Sequence, residues 1–384
     1  MQRELEVDLL RRVLDLHGRT TTSESDAVRR QRTEVYTDVA RQRAEIDLLL
    51  RDQPLIAGLS CELGRPGSYL TAQVGVAPVM VVRQDDGGVR AFVNACRHRG
   101  STVASGRGDA TTFTCAYHGW TYQRDGALRG RPLARGAFDA VGCAGLIELP
   151  CDESCGVIVV GSGPGTVADA HELLGDYADE IDGHGLGGYR AVGERTTVWP
   201  FNWKLGFETF LESYHIFSLH RRTLGRQLKS APMLSEFSGR HGRGVVMGNA
   251  CPDLLDLPEA EWHRFQRATL VYWLFPNAVL SMPQSGHAEL WTFLPSDGRP
   301  DRSEISVRFY AAPGAPAEQD FWDRLIEYTM SVVDAEDFGQ QVLIQRNVGS
   351  GLVDEVVFGR NEPAMRHFHE QLDAVLGESG TTVS

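Results

Sequence analysis

A chain of 384 residues with 42% hydrophobic composition is long enough for two cores, since single domains mostly run about 100–200 residues. Acidic residues outnumber basic ones 51 to 38, and the cations are scattered apart from Arg29-Arg30 and Arg221-Arg222, which argues against nucleic acid as a partner. No apolar run approaches the roughly 18 residues of a membrane span, and Met1 to Leu50 is too charged for a signal peptide, so no membrane and a cytoplasmic location are expected.

Glu4 to Arg19 and Ser25 to Arg51 read as helices, making an N-terminal segment of residues 1–51. From Ser68 the period shortens to that of strands. Val79 to Val82, the turn Asp85-Asp86-Gly87-Gly88 and Val89 to Val93 form a hairpin that runs into Cys96. Phe113 to Cys115 and Trp120 to Gln123 bracket a second loop, closed by the turn Arg124-Asp125-Gly126-Ala127. Residues 52–165 thus read as a small antiparallel β domain with two loops at its tip.

Those loops carry Cys96-Arg97-His98 and Cys115-Ala116-Tyr117-His118-Gly119-Trp120. Zinc would accept two thiolates and two imidazoles, but zinc ribbons usually repeat Cys-x-x-Cys knuckles. A Cys-x-His loop followed by a Cys-x-x-His loop instead divides the ligands evenly, as a [2Fe–2S] cluster with two thiolates on one iron and two imidazoles on the other requires. In these motifs the chain resembles the Rieske proteins, which implies that Cys96, His98, Cys115 and His118 hold such a cluster. The other five cysteines, Cys61, Cys143, Cys151, Cys155 and Cys251, show no framework and read as inert buried thiols.

Gly156 to Val160, the loop Gly161-Ser162-Gly163-Pro164-Gly165 and the run after it imitate a dinucleotide-binding turn. The fingerprint fails, because Thr166 stands at its sixth position, Pro164 stiffens the turn, and hairpins precede it. The loop reads as a domain boundary. A helix from Val167 to Ile181 and a strand at Arg195 to Val198 open the second domain, residues 166–384. Further strands follow at Thr269 to Phe275, Ala278 to Met282, Glu289 to Phe293 and Glu304 to Ala311, then one long helix from about Ala317 to Val348. An antiparallel sheet against a long helix is α+β.

Between them lies Asn202 to His220, in which Glu208, Glu212 and His215 would share one helical face. His220 lies five residues past His215, roughly 140° off that face, so the two imidazoles meet one metal only if the helix unwinds near Ile216 to Leu219. A third ligand must come from elsewhere. The long helix offers Asp334-Ala335-Glu336-Asp337, where both Glu336 and Asp337 interrupt an apolar arc and geometry alone does not separate them, with Asp334, nearer the edge of that arc, a further candidate.

The stretch resembles the mononuclear iron helix of the Rieske non-haem iron oxygenases, the family that includes aromatic-ring-hydroxylating enzymes and the choline monooxygenase and carnitine oxygenase branch. The resemblance covers roughly Ser60 to Val375. It implies a helix-grip catalytic domain, mononuclear Fe(II) on His215, His220 and Asp337, and Glu212 as the bridge that carries electrons from a cluster histidine of a neighbouring subunit. It further implies a homotrimer, possibly with a β subunit, fed by a reductase or ferredoxin that draws on NAD(P)H, and O₂ with a small organic substrate. Glu212 and Thr209, where many ring dioxygenases have aspartate and asparagine, point to hydroxylation or oxidative demethylation ahead of aromatic cis-dihydroxylation. A Rieske electron carrier without oxygenase activity would lack one of the iron ligands, and a zinc-held module would lack sulfide. Phe207, Leu211, Tyr272, Trp273, Phe275 and Trp291 are candidates for an apolar substrate pocket, although each residue type is also ordinary core. Facing the iron, Trp273 and Trp291 would cage a quaternary amine.

Overall fold

The computed structural model describes residues 2–51, 53–133, 136–138, 145–163, 165–264 and 266–377. Cys143, Pro164 and residues 378–384 lie outside them. The chain forms two compact units, one of Met1–Glu45, Gly175–Glu180 and Tyr189–Ser384, the other of Ile46–Leu174 and Ile181–Gly188. Met1–Glu45 thus groups with the larger unit. Among the described residues no helix is long and apolar enough to cross a membrane.

In the smaller unit the described strands all pair antiparallel. Glu148–Leu149, Val89–Val93, Ala77–Arg83, Ser68–Val74 and Arg107–Asp109 form one sheet in that order, and Thr112–Thr114, Thr121–Gln123 and Leu128–Gly130 a second. A core of Val82, Phe92, Phe113, Trp120 and Tyr122 takes in both Cys96 and Cys115. The glycine loop follows Val157–Gly161, a strand antiparallel to both Cys151–Ser154 and Pro54–Leu59, which is the wrong context for a nucleotide-binding turn.

The larger unit is built on a seven-stranded antiparallel sheet. Its order is Arg190–Trp199, Ser303–Ala311, His287–Pro295, Ala278–Met282, Ala268–Leu274, His241–Gly248 and Leu228–Ser238. Ala268–Leu274 and Ala278–Met282 are buried at every residue, so both faces of the sheet are covered. The last two strands in that order were not legible. Five of the eight residues of His241–Gly248 are glycine, histidine or arginine, yet Gly244 is needed where it stands: a Cβ there would lie 2.8 Å from the Trp273 ring. With the helices Gln319–Val332, Phe338–Val348 and Pro363–Leu376, the unit is the expected α+β architecture of sheet and long C-terminal helix.

Three expected helices are differently made. Arg3–Gly18 forms as read, but the run from Ser25 to Arg51 is a strand, Arg29–Arg32, a 3-10 turn at Thr33–Tyr36, a short helix at Val39–Glu45 and a π-helical turn at Ile46–Arg51. Arg29 and Gln31 alternate with exposed Arg30 and Arg32, and the strand pairs with Glu355–Phe358; the period of two is carried by polar residues and escapes a hydrophobic reading. The run from Val167 to Ile181 is two short helices, Ala170–Leu174 and Ala178–Asp182, broken at Gly175, whose φ of 55° does not continue a helix. The long helix is two α-helical segments, Gln319–Val332 and Phe338–Val348, joined by a π-helical turn at Val333–Asp337.

Candidate metal centres

The two loops of the smaller unit are built alike. Gly100 N–H donates to Cys96 O at 2.8 Å and Gly119 N–H to Cys115 O at 2.9 Å, each glycine at a φ above 70° that reverses the chain. Cys96 N–H is held by Ser101 O and Cys115 N–H by Trp120 O, both at 2.8 Å. Tyr122 clamps the first loop, its hydroxyl 3.3 Å from Cys96 Sγ and accepting the Arg97 N–H at 2.9 Å. Both cysteines are buried, whereas His118 is exposed and His98 half-buried. The imidazoles meet at 4.4 Å, with His98 stacked on Trp120 at 5.1 Å. Burial raises the Cys115 thiol, but the N–H groups of Tyr117 and His118, with Cys96 and Ser101, outweigh it and leave the thiol below its usual pKa, towards thiolate. His98 Nδ1 is buried and has no partner among the described residues. Two inward thiols, two outward imidazoles and that orphaned nitrogen fit a [2Fe–2S] group with mixed ligands.

The second centre begins at a short helix, Trp203–Glu208, and its anchoring explains its precision. Asn202 caps it, its side chain accepting from Lys204 N–H at 3.1 Å while its own N–H donates to Gln345 Oε1 at 2.9 Å. Lys204 is fully buried and pairs with Glu45 at 2.6 Å. The expected single helix from Glu208 through His215 does not form: after Glu208 the chain turns, makes a 3-10 turn at Tyr214–Phe217 and loops to His220. That break is what swings His220 round to His215, their rings 5.0 Å apart.

The π-helical turn supplies the acids. Asp337 Oδ1 lies 3.0 Å from His220 Nε2 and 3.6 Å from His215 Nε2, and one donor atom from each of these three residues falls within 4.8 Å of the others. Glu336 takes the opposite side of His220, accepting from Nδ1–H at 2.6 Å and from the Thr223 hydroxyl at 2.7 Å. Glu212 plays the same part for His215, whose Nδ1–H and backbone N–H both turn to its carboxylate. With Nδ1 protonated on each ring, both Nε2 lone pairs face the Asp337 oxygen, a donor set that fits a divalent iron and leaves positions open. Burial would hold both imidazoles below their usual pKa; Glu212 and Asp337 around His215, and Asp337 and Glu336 around His220, outweigh it and raise both. Thr223 was not singled out from the sequence, where a threonine three residues past a histidine carries no signal.

A cleft of about 530 Å³ opens on this centre, lined among others by Glu208, Glu212, His215, Asp337 and Glu362. None of the six apolar candidates lines it. Phe207, Leu211, Tyr272, Trp273, Phe275 and Trp291 are all buried. Trp273 Nε1–H donates to Phe210 O at 2.7 Å and Trp291 Nε1–H to Glu289 at 2.9 Å, so both indoles serve the interior of the fold. Burial pushes the thiols of Cys61, Cys151 and Cys251 up to about 12, as inert cysteines require.

Residues 186–378 match the family model of the ring-hydroxylating alpha subunit catalytic domain, half of the chain, and residues 53–144 match the Rieske [2Fe-2S] domain. A glycine betaine monooxygenase oxygenase subunit from Chromohalobacter salexigens is 32% identical over 194 residues, 49% of this chain and 42% of the relative. The large oxygenase component of a naphthalene 1,2-dioxygenase system from Ralstonia sp. is 38% identical over 168 residues, 41% of this chain and 37% of the relative. Each alignment thus spans less than half of the relative's own length. Among solved structures, the quaternary ammonium Rieske monooxygenase CntA superposes with a TM-score of 0.76 at 20% identity, over 90% of this chain and 94% of that one, a likeness of fold.

Proposed function

The chain belongs to the ring-hydroxylating alpha-subunit family of Rieske oxygenases, and from that premise we propose that it is the catalytic component of an oxygenase that hydroxylates or oxidatively demethylates a small organic substrate. The observation that carries the proposal is the convergence of His215, His220 and Asp337 on one point in a chain whose other unit presents Cys96, His98, Cys115 and His118 on paired loops. When bound, a [2Fe–2S] cluster supplies one-electron storage and a mononuclear iron supplies O₂ activation.

In this reading Cys96 and Cys115 hold the cluster from the core, and His98 and His118 from the surface. Tyr122, bonded to Cys96 Sγ, lies where a hydrogen bond tunes the cluster potential. Glu336 and Glu212 fix the tautomers of His220 and His215, which keeps both Nε2 atoms available to iron. Glu212 also lines the cleft, half-buried, with exposed Tyr214 and Phe217 near it in the chain. That placement supports its reading as the bridge to a cluster histidine of a neighbouring copy in a homotrimer. A reductase or ferredoxin fed by NAD(P)H is the electron source. Thr209 and Glu212 favour monooxygenation or demethylation, and the named glycine betaine and quaternary ammonium monooxygenases favour it too. The naphthalene dioxygenase match supports aromatic cis-dihydroxylation as the second reading. A carrier without oxygenase activity would not need the intact triad.

The test is iron, zinc and acid-labile sulfide per chain on anaerobically purified protein, with an electron paramagnetic resonance spectrum after dithionite reduction. About three irons and two sulfides with a Rieske-type signal are expected. Zinc without sulfide overturns the reading.

A further inference from the structure

Glu208 and Tyr36 both line the iron cleft, and the Glu208 carboxylate is held by Tyr36 and by His369, two residues distant in sequence. Tyr36 O–H stands 3.0 and 3.1 Å from its two oxygens, and His369 Nε2 lies 2.9 Å from Oε1. Tyr36 and His369 are fully buried, and His369 Nδ1 has no hydrogen-bond partner among the described residues. Each of the three cations beyond the trio has a carboxylate partner other than Glu208: Lys204 pairs with Glu45, Arg29 with Asp373, and Arg41 with both Glu45 and Asp373. Among the described residues, Glu208 is bonded to a histidine and a hydroxyl and to no lysine or arginine.

The reaction read from the metal centres has a proton requirement. For RH + O₂ + 2 e⁻ + 2 H⁺ → ROH + H₂O, one oxygen atom enters the substrate and the other leaves as water, with both electrons from the external donor. We propose that the Glu208–His369 pair is a buried proton store that delivers one of those two protons to the cleft. This rests on the oxygenase reading above. In the loaded state Glu208 is a carboxylic acid whose O–H donates to Nε2 of neutral His369. On delivery that O–H bond breaks and the proton passes to water in the cleft. The carboxylate left behind keeps the Tyr36 O–H as donor, and it is reprotonated from solvent through the same cleft.

The electrostatics agree with the geometry. Burial pushes the Glu208 carboxyl up to about 8 against the pull of Tyr36 and Lys204, with Glu362 pushing the same way as burial. Burial, then Arg29, Lys204 and Arg41, hold His369 well below its usual range and keep it neutral. The groups around Glu208 and His369 are thus Tyr36, Arg29, Arg41 and Glu45 from the N-terminal residues, Lys204 on the same helix as Glu208, and Glu362 just before the C-terminal helix that carries His369; Glu212, His215 and Asp337 share the cleft. A store with this pKa is full below about pH 8 and empties above it, so turnover falls as pH rises through that value.

Two measurements test this. Infrared titration of the metal-free chain should show one carboxyl still protonated at pH 7 and missing in Glu208→Gln. In the iron-loaded enzyme with its donor, Glu208→Gln should lower kcat about 10- to 100-fold with KM and iron content unchanged, and erase the alkaline limb. Tyr36→Phe, which removes the bond favouring the carboxylate, should move that limb to higher pH; a purely structural trio would leave it in place. An ionised Glu208 at pH 7, or a Glu208→Gln enzyme with the wild-type rate and profile, overturns the store alone. A wild-type enzyme, loaded with both metals, that oxidises no substrate overturns the oxygenase reading beneath it.

Discussion

Two adjacent acids, Glu336 and Asp337, divide the work around one histidine. Asp337 faces His220 Nε2, the side open to a metal, and Glu336 faces Nδ1, where a metal-bound imidazole keeps its proton. Removing the outer acid leaves a nearly buried Nδ1–H and the Thr223 hydroxyl without their acceptor, and frees the ring to turn. Glu336→Ala should therefore weaken Fe(II) binding about 10- to 100-fold, whereas Glu336→Gln, whose amide oxygen still accepts from Nδ1–H, should recover most of it. Fe(II) titration with a colorimetric competitor measures both; unchanged affinity in the alanine variant removes the supporting role. At this scale the cysteines and histidines were legible because metal ligands keep fixed spacings on loops. The order of the two acids was not, since adjacent helical residues differ by only about 100° and a helical wheel assumes regular winding, which the π-helical turn at Val333–Asp337 breaks. Tyr36 and His369 were invisible, because their bonds to Glu208 span 172 and 161 residues.

Among the elements, the decisive one is only six residues long. Trp203–Glu208 is too short to persist by propensity and is held by its ends and its neighbours. Asn202 does several jobs there: it caps Lys204 N–H, and its Nδ2 donates to Pro300 O at 2.7 Å and Tyr36 O at 3.3 Å. Asn202→Ala removes all three while leaving the buried Lys204 N–H and Pro300 carbonyl without that partner. The expected cost is about 2–3 kcal/mol, above the ~1 kcal/mol of an exposed cap, because buried polar groups are left unsatisfied. Urea melting at constant m-value reads it out, and a loss under 0.5 kcal/mol would show that the cap is dispensable. Strong apolar strands such as Ala278–Met282 were legible to the residue from sequence. Elements whose pattern is polar, such as Arg29–Arg32, or whose helical run is interrupted for function, as between Glu208 and His220, were not, because tertiary bonds outweigh local period there.

For the whole molecule, the question is whether the cluster of one copy serves the iron of the same copy or of another. The proposal that Glu212 bridges to a neighbouring cluster makes a quantitative demand on mixed assemblies. A chain carrying His98→Ala keeps its iron centre and loses a cluster ligand; a chain carrying His215→Ala keeps its cluster loops and loses an iron ligand. Each alone should be inactive. Coexpressed in equal amounts, they join at random around a closed ring, so a sound cluster meets a sound iron site across an interface with a chance of one half for each partner. Transfer between copies then restores about a quarter of wild-type turnover per interface, while transfer confined within a chain restores none. A third strain, with Glu212→Gln added to the iron-competent chain, should abolish the rescue if Glu212 is the bridge, and leave it intact if Glu212 serves only to hold His215, whose Nδ1–H the glutamine oxygen still accepts.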